Sequence, residues 1–462
     1  MSVTKVVPGS FRDPNGFVFS RDDVLYRQIN DSHRTHYDRF MESGLYRELI
    51  EDGLLIPHLE VTEAALRPEL AYKVILPERV NFISYPYEWS FSQLKDAALV
   101  TLTAQKKALE RGMSLRDASA FNIQFHRGRP VLIDTLSFED LDEGRPWVAY
   151  GQFCRHFLAP LALMSYGDVR LGQLMRSFID GLPLDLATGM LPIRARLRFS
   201  LLLHLFLHAR SQRRHQDSGA MEMRSGSGKF DLRSFNGLIE SLTVAVEKLR
   251  PPRSESAWSD YYENSSHYGE VALENKKAIV AGFIKGVSPS TVWDLGANTG
   301  AFSRIAADLG IETVALEMDP GCVERNYERV KAEATPNLLP LLCDLTNPSS
   351  GTGWENKERM SLAERGPADM VLALALIHHL AIGNNVPLKR IAHCFAGLGR
   401  HLIVEFIPKE DEKVRQLLAS REDIFPGYTR SGFEAAFADR FVIERVKEIE
   451  DTERVLYLMR AA

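Results

Sequence analysis

Cysteine is scarce in this chain. Only four occur in 462 residues, Cys154, Cys322, Cys343 and Cys394. They are widely scattered and no C-x-x-C pair exists, which supports neither a zinc site nor a disulfide framework. A chain without disulfides is expected in a reducing compartment, here the cytoplasm. Long apolar runs are also missing. The greasiest stretches, 200–207 and 371–377, fall far short of the roughly 20 residues that span a bilayer. The opening MSVTKVVPGSFRDPNG lacks the apolar centre of a signal peptide. Basic charge is not in excess, with 56 Lys and Arg against 61 Asp and Glu, so no global field argues for a nucleic-acid partner. No internal repeat is visible.

What is present is ordinary globular composition, 45% apolar and 25% charged, with length for two to three domains. One stretch organises the second half: TVWDLGANTG at 291–300, followed by AFSRIAADLG. An apolar pair leads into Asp294. Gly296, Asn298 and Gly300 alternate, and a helix-like run follows. Strand, tight turn and helix in this order bring a backbone close to a ligand, because glycine accepts positive φ, and they add free N–H groups at the helix start. The spacing is not the G-x-G-x-x-G that seats a pyrophosphate. An acid two residues before the first glycine suits a cationic ligand without phosphates.

The run resembles motif I of class I S-adenosylmethionine-dependent methyltransferases, acidic-x-Gly-x-Gly-x-Gly, with Asn298 at the middle glycine. Asn is among the residues that visit the left-handed region readily. Further along, the strand 313–316 ends at Glu317, where a nucleoside-binding sheet places a carboxylate for ribose hydroxyls. Asp319 is expected to cap the next helix. Strand 338–343 is followed by Asp344, which the resemblance assigns to the adenine amino group. The apolar run 369–377 reads as a central strand buried on both faces, with His378 and His379 directly after it at the mouth of the site. One of them could remove a substrate proton; alternatively one orients substrate or caps the following helix. No third ligand is spaced to make the pair a metal site. Strand 402–406 carries Glu405, and 441–446 with 454–459 suit the antiparallel hairpin that closes such a sheet. The resemblance covers 257–462. It implies S-adenosyl-L-methionine as cofactor, held by Asp294, Gly296, Asn298, Gly300, Glu317 and Asp344.

The first half reads as α+β. Strands are expected at 16–19, 24–29, 72–76 and 81–84, with helices over 36–52 and 90–110. SLRDASAFNIQFHRGRPVLIDTLSFED then places Asp117, Asn122 and Asp134 around a hairpin. This resembles the D-x-x-x-x-N catalytic loop of kinases and the metal-binding Asp of the next strand. By that resemblance Asp117 is the base, with Asn122 and Asp134 at Mg²⁺. The departures are a missing glycine-rich loop, Arg27 in place of the strand lysine, and no glycine after Asp134. The alternative is that Asp117 and Asn122 cap a turn and Asp134 ends a strand. Residues 193–214 look like a basic amphipathic helix, which can lie on a membrane; a buried helix with a solvated basic flank is the simpler expectation. The stretch 212–230 reads as a linker, and Trp258, Tyr261, Tyr262 and Tyr268 lead into the second half, either over a cofactor pocket or as core.

The expected architecture is therefore α/β. A degenerate kinase-like α+β domain spans 1–215, a linker and connecting helix 216–256, and a Rossmann-like seven-stranded methyltransferase domain 257–462. Across the whole chain, SYPYEWSF, LRDASAFNIQF, LIDTLSFED and LALIHHLAIGNNVPL resemble the NoeA-like family of rhizobial nodulation proteins. The resemblance implies a methyltransferase of unassigned acceptor. The expected reaction is methyl transfer to oxygen or nitrogen on a small molecule or saccharide, with the first domain recognising substrate or partner. A bifunctional kinase-methyltransferase and a cofactor-binding protein without turnover are the alternatives.

Overall fold

The structure, a computed structural model, describes residues 4–142, 144–211, 231–252, 269–419 and 422–462. The chain divides into two compact units: 1–253 with 353–359, and 254–352 with 360–462.

The first unit holds a five-stranded antiparallel sheet. Its strands are β1 (Thr4–Val6), β2 (Gly16–Arg21), β3 (Val24–Asn30), β4 (His58–Val61) and β5 (Ala71–Pro77), in the order β1-β2-β3-β5-β4. The β2–β3 turn works because Asp22 and Asp23 both take positive φ, 50° and 63°, the backbone twist a two-residue hairpin needs. The helix expected over 36–52 is two helices, α1 (Arg34–Glu42) and α2 (Leu45–Glu51). Gly44 separates them at φ 80°. The strand expected at 81–84 does not form. Side chains take over its backbone there: Ser84 N–H donates to Gln124 Oε1 at 2.8 Å, and Gln124 Nε2 donates back to Ser84 O at 2.9 Å.

Helix α3 (Phe91–Glu110) starts on a capping box, with Ser90 Oγ accepting from Gln93 N–H at 3.3 Å and Gln93 Oε1 accepting from Ser90 N–H at 2.9 Å. Beyond it lie β6 (Met113–Leu115), the hairpin β7 (Ile123–His126) and β8 (Arg129–Leu132), and β9 (Phe138–Asp140), which pairs with β6. The helix Leu232–Lys248, expected in the connecting segment, belongs to this unit. Lys95 Nζ, on α3, donates to the carbonyls of Glu247 and Leu249 at 2.9 and 3.0 Å. The continuous helix expected at 193–214 is interrupted once, at 197–198, into Ile193–Arg196 and an uninterrupted run over 199–211 that contains the π-helical turn Leu202–Leu207. The proposed linker 212–230 and the aromatics Trp258, Tyr261, Tyr262 and Tyr268 lie outside the described residues.

The second unit is a seven-stranded sheet of β10 (Thr291–Leu295), β11 (Glu312–Glu317), β12 (Leu338–Leu342), β13 (Ala368–Ala373), β14 (Gly399–Phe406), β15 (Phe441–Glu448) and β16 (Val455–Ala461). Its order is β12-β11-β10-β13-β14-β16-β15. The first five run parallel, β16 antiparallel to β14, and β15 antiparallel to β16. This is the Rossmann-like methyltransferase sheet expected from the motif order, with its closing hairpin. Val292, Met370, Leu372, Ile403, Leu456 and Leu458 turn into one apolar core with Val280, Phe283 and Ile284 of the helix Glu270–Val287. The order reverses between β10 and β13, and in open α/β sheets ligands bind outside the strand ends at such a switch point.

Candidate functional site

The loop 296–300 leaves β10 at that switch point. Gly296, Asn298 and Gly300 all have positive φ, at 73°, 51° and 80°. Asn298 therefore adopts the left-handed conformation that a middle glycine would supply. The Asn298 N–H donates to Glu317 Oε2 at 2.8 Å, and Asp319 N–H donates to Glu317 Oε1 at 2.9 Å. Loop and second-strand acid are thus locked together. The Met318 amide is a third backbone donor to the same carboxylate. Burial pushes the Glu317 carboxyl up, against the backbone N–H groups that favour its charged form. Asp319 caps the helix Pro320–Glu333, accepting from Gly321 and Cys322 N–H at 2.8 and 3.0 Å.

Asp294 sits deeper. Its carboxylate is buried and accepts from the Ser303 hydroxyl at 2.6 Å. Desolvation pushes its pKa up to about 6, opposed by Ser303 and Lys276. Gly300 is demanded by packing behind the loop: a Cβ there would lie 2.5 Å from Asn326 Nδ2 and 2.8 Å from Arg304 Nη1. Asp344 follows β12 as expected, half-buried, and its Oδ1 accepts from Thr346 N–H and hydroxyl at 2.8 and 2.7 Å. Met318, beside Glu317, is 65% exposed. Sequence reasoning passed over it, although a large apolar residue directly after the strand-end acid was a legible signal.

The histidines are placed differently from expectation. The strand expected over 369–377 stops at Ala373. Ala375 turns the chain with φ 50°, and its N–H donates to Glu405 Oε2 at 2.8 Å. A side chain on β14 thereby ends the strand early, and the pair opens the π-helical turn His379–Gly383, with His378 at its N-cap position but making no side-chain cap hydrogen bond. The rings of His378 and His379 lie 4.1 Å apart. His378 is buried, with no hydrogen-bond partner at Nδ1; His379 is half-buried. Burial holds His378 well below the usual imidazole range and lowers His379 too. The same burial disfavours the imidazolium form, more strongly at His378 than at half-buried His379.

A buried charge pair underlies this turn. Lys276 Nζ meets Glu405 Oε2 at 2.7 Å, both essentially inaccessible, and lies 4.6 Å from the Phe302 ring centroid. Arg454 Nη1 reaches Glu405 Oε1 at 3.5 Å, and its Nε pairs with Asp411 Oδ2 at 2.7 Å. Desolvation pulls the Lys276 ammonium down, while Glu405 supports its charge. Sequence reasoning missed Lys276. The signal was its place in an i, i+4 series, Ala272, Lys276, Val280, Ile284, whose other members are core.

In the first unit, Asp117, Asn122 and Asp134 do come together. Asp117 Oδ1 accepts from Ser119 N–H at 2.9 Å, and burial raises its carboxyl. Asn122 Nδ2 donates to Ser137 Oγ at 3.4 Å. Asp134 accepts from Leu136 N–H and the Ser137 hydroxyl at 3.0 and 2.7 Å and pairs with Arg27 Nη2 at 2.6 Å. Burial pushes Asp134 up, but Arg27, Ser137, the Leu136 amide and Arg116 together hold its carboxyl below the usual range. No group of three or more His, Cys, Asp or Glu among the described residues is arranged to hold a metal ion.

No family model matches the chain. Two of the solved structures it resembles are a magnesium protoporphyrin IX methyltransferase from Synechocystis PCC 6803 with bound SAH (18% identity, 44% of this chain and 98% of that one, TM-score 0.31) and the bifunctional kinase-methyltransferase WbdD (12% identity, 44% and 42%, TM-score 0.31). At the level of sequence, the nodulation protein NoeA of Rhizobium meliloti (strain 1021) is 35% identical over 462 residues, covering 98% of this chain and 95% of that protein. Similarity of that depth runs through both halves, so the chain belongs to the NoeA family of nodulation proteins.

Proposed function

We propose that the second unit is an S-adenosylmethionine-dependent methyltransferase acting on oxygen or nitrogen of a small molecule or saccharide. The observation that carries the reading is the lock between the left-handed Asn298 and Glu317, at the switch point of the seven-stranded sheet. The donor set fits the cofactor. Glu317 offers its carboxylate to the ribose hydroxyls, Asp344 stands at the next strand end, and Met318 offers an apolar face to a purine. Asp294 supplies a carboxylate whose charge becomes favourable beside a cation. When bound, the cofactor supplies an already activated methyl group. The protein's share is positioning, which can account for much of a barrier, and acceptance of the proton that the acceptor atom loses. His378 or His379 would take that proton, and half-buried His379, held less far below the usual imidazole range, is the better suited of the two. The first unit serves as a substrate- or partner-recognition module, because Arg27 already neutralises the carboxylate that a metal would need.

Calorimetry with S-adenosylmethionine, S-adenosylhomocysteine, NAD and ATP tests the reading. The two sulfur nucleosides should bind, and Asp294→Ala and Glu317→Ala should each weaken them about tenfold or more. Binding of NAD in their stead, or two silent variants, would sink it. Once an acceptor is identified, His378→Ala and His379→Ala should both retain cofactor affinity while one loses turnover.

A further inference from the structure

The basic stretch after Pro192 has a second property that its sequence did not reveal. Ile193, Leu197 and Phe199 are 78%, 83% and 76% exposed. Between them stand Arg194, Arg196 and Arg198, also exposed. Leu203 and Leu207 of the following turn, and Met190 before it, are partly bare as well. Elsewhere, exposed apolar side chains of this size are scattered, as is normal for any surface. Here three of the most exposed fall within seven residues. The charge is equally local: 186–216 contains six arginines and no Asp or Glu, in a chain of net charge −5. Among the described residues none of Arg194, Arg196 and Arg198 forms an ion pair. Arg194 donates to the Tyr166 carbonyl at 2.9 Å and lies over the Tyr166 ring, and Arg196 lies over Phe206.

We propose that this segment docks the protein on an anionic lipid surface. Short helical turns carrying aliphatic and aromatic side chains beside arginines can lie in the headgroup layer. The apolar side chains enter the acyl boundary while each guanidinium reaches back to lipid phosphate. No helix among the described residues is long and apolar enough to cross a membrane, so the attachment is peripheral. Charge separates this occupant from two others. A second copy meeting the same face across a two-fold axis would set arginine against arginine. A nucleic acid would satisfy the arginines and leave Ile193, Leu197 and Phe199 in water.

Flotation of the full chain with lipid vesicles tests the proposal. The protein should float with phosphatidylcholine vesicles containing about one third phosphatidylglycerol, not with pure phosphatidylcholine, and should be released as salt rises toward about 0.5 M. The triple variant Ile193→Ser, Leu197→Ser, Phe199→Ser should lower partitioning about tenfold or more, and Arg194→Gln, Arg196→Gln, Arg198→Gln by more still. Both should keep the parent melting temperature, since the side chains changed are exposed. Equal flotation with both vesicle types, or full retention by the serine triple, overturns the proposal. So does a concentration-dependent dimer in light scattering that the serine triple abolishes.

Discussion

Lys276 and Glu405 are the residues on which the second unit depends most sharply. Two opposite charges with almost no access to water repay their desolvation only together. Lys276→Met should cost about 3 kcal/mol, toward the low end for a broken buried pair, because Arg454 Nη1 remains 3.5 Å from Glu405. The double change Lys276→Met, Glu405→Gln should recover part of that loss, because the amide oxygen can still accept from the Ala375 N–H. Denaturant melts of the three chains check the claim, and a double variant no better than the single would refute it. Asp294 gives a second prediction. Its carboxyl is held near pH 6 by burial, and a cationic ligand favours the ionised form. Affinity for S-adenosylmethionine should therefore rise about tenfold between roughly pH 5 and pH 7 and level off above. Titrations of the parent and Asp294→Asn should differ in this slope, with the variant flat.

Among the elements, the turn after β10 is the most constrained. Gly300 combines φ 80° with no space for a Cβ beside Asn326 and Arg304. Gly300→Ala should cost about 2 kcal/mol, read as a lower urea midpoint at unchanged slope. This element was legible in the sequence because its demands are local: alternate small residues, an acid before them, a helix after. The strands themselves were legible as short apolar runs, but their arrangement in a seven-stranded sheet was expected only through the resemblance to class I methyltransferases, because such runs do not fix which strands are neighbours. What was not legible depends on partners distant in sequence. The apolar run through Ile377 reads as strand throughout, and only Glu405, thirty residues on, takes the Ala375 N–H and ends it. The 36–52 helix was misread because its apolar spacing continues across Gly44. The 193–214 segment was misread because its periodicity promises one buried face, whereas Ile193 and Leu197 are left in water.

At the scale of the molecule, averages conceal the functional regions. A net charge of −5 coexists with a basic, apolar stretch in the first unit. The same unit retains the layout of Asp117, Asn122 and Asp134 while Arg27 occupies the carboxylate that phosphoryl transfer would use. In the second unit the buried Lys276 is paired with Glu405, and Glu317, Met318 and Asp344 lie at or just beyond the ends of β11 and β12.

The Lys276–Glu405 pair also bears on ancestry. A lineage that lost the lysine first, or the glutamate first, would pass through a chain with an uncompensated charge in its core. The two positions are therefore expected to change together among relatives, although 129 residues separate them along the chain.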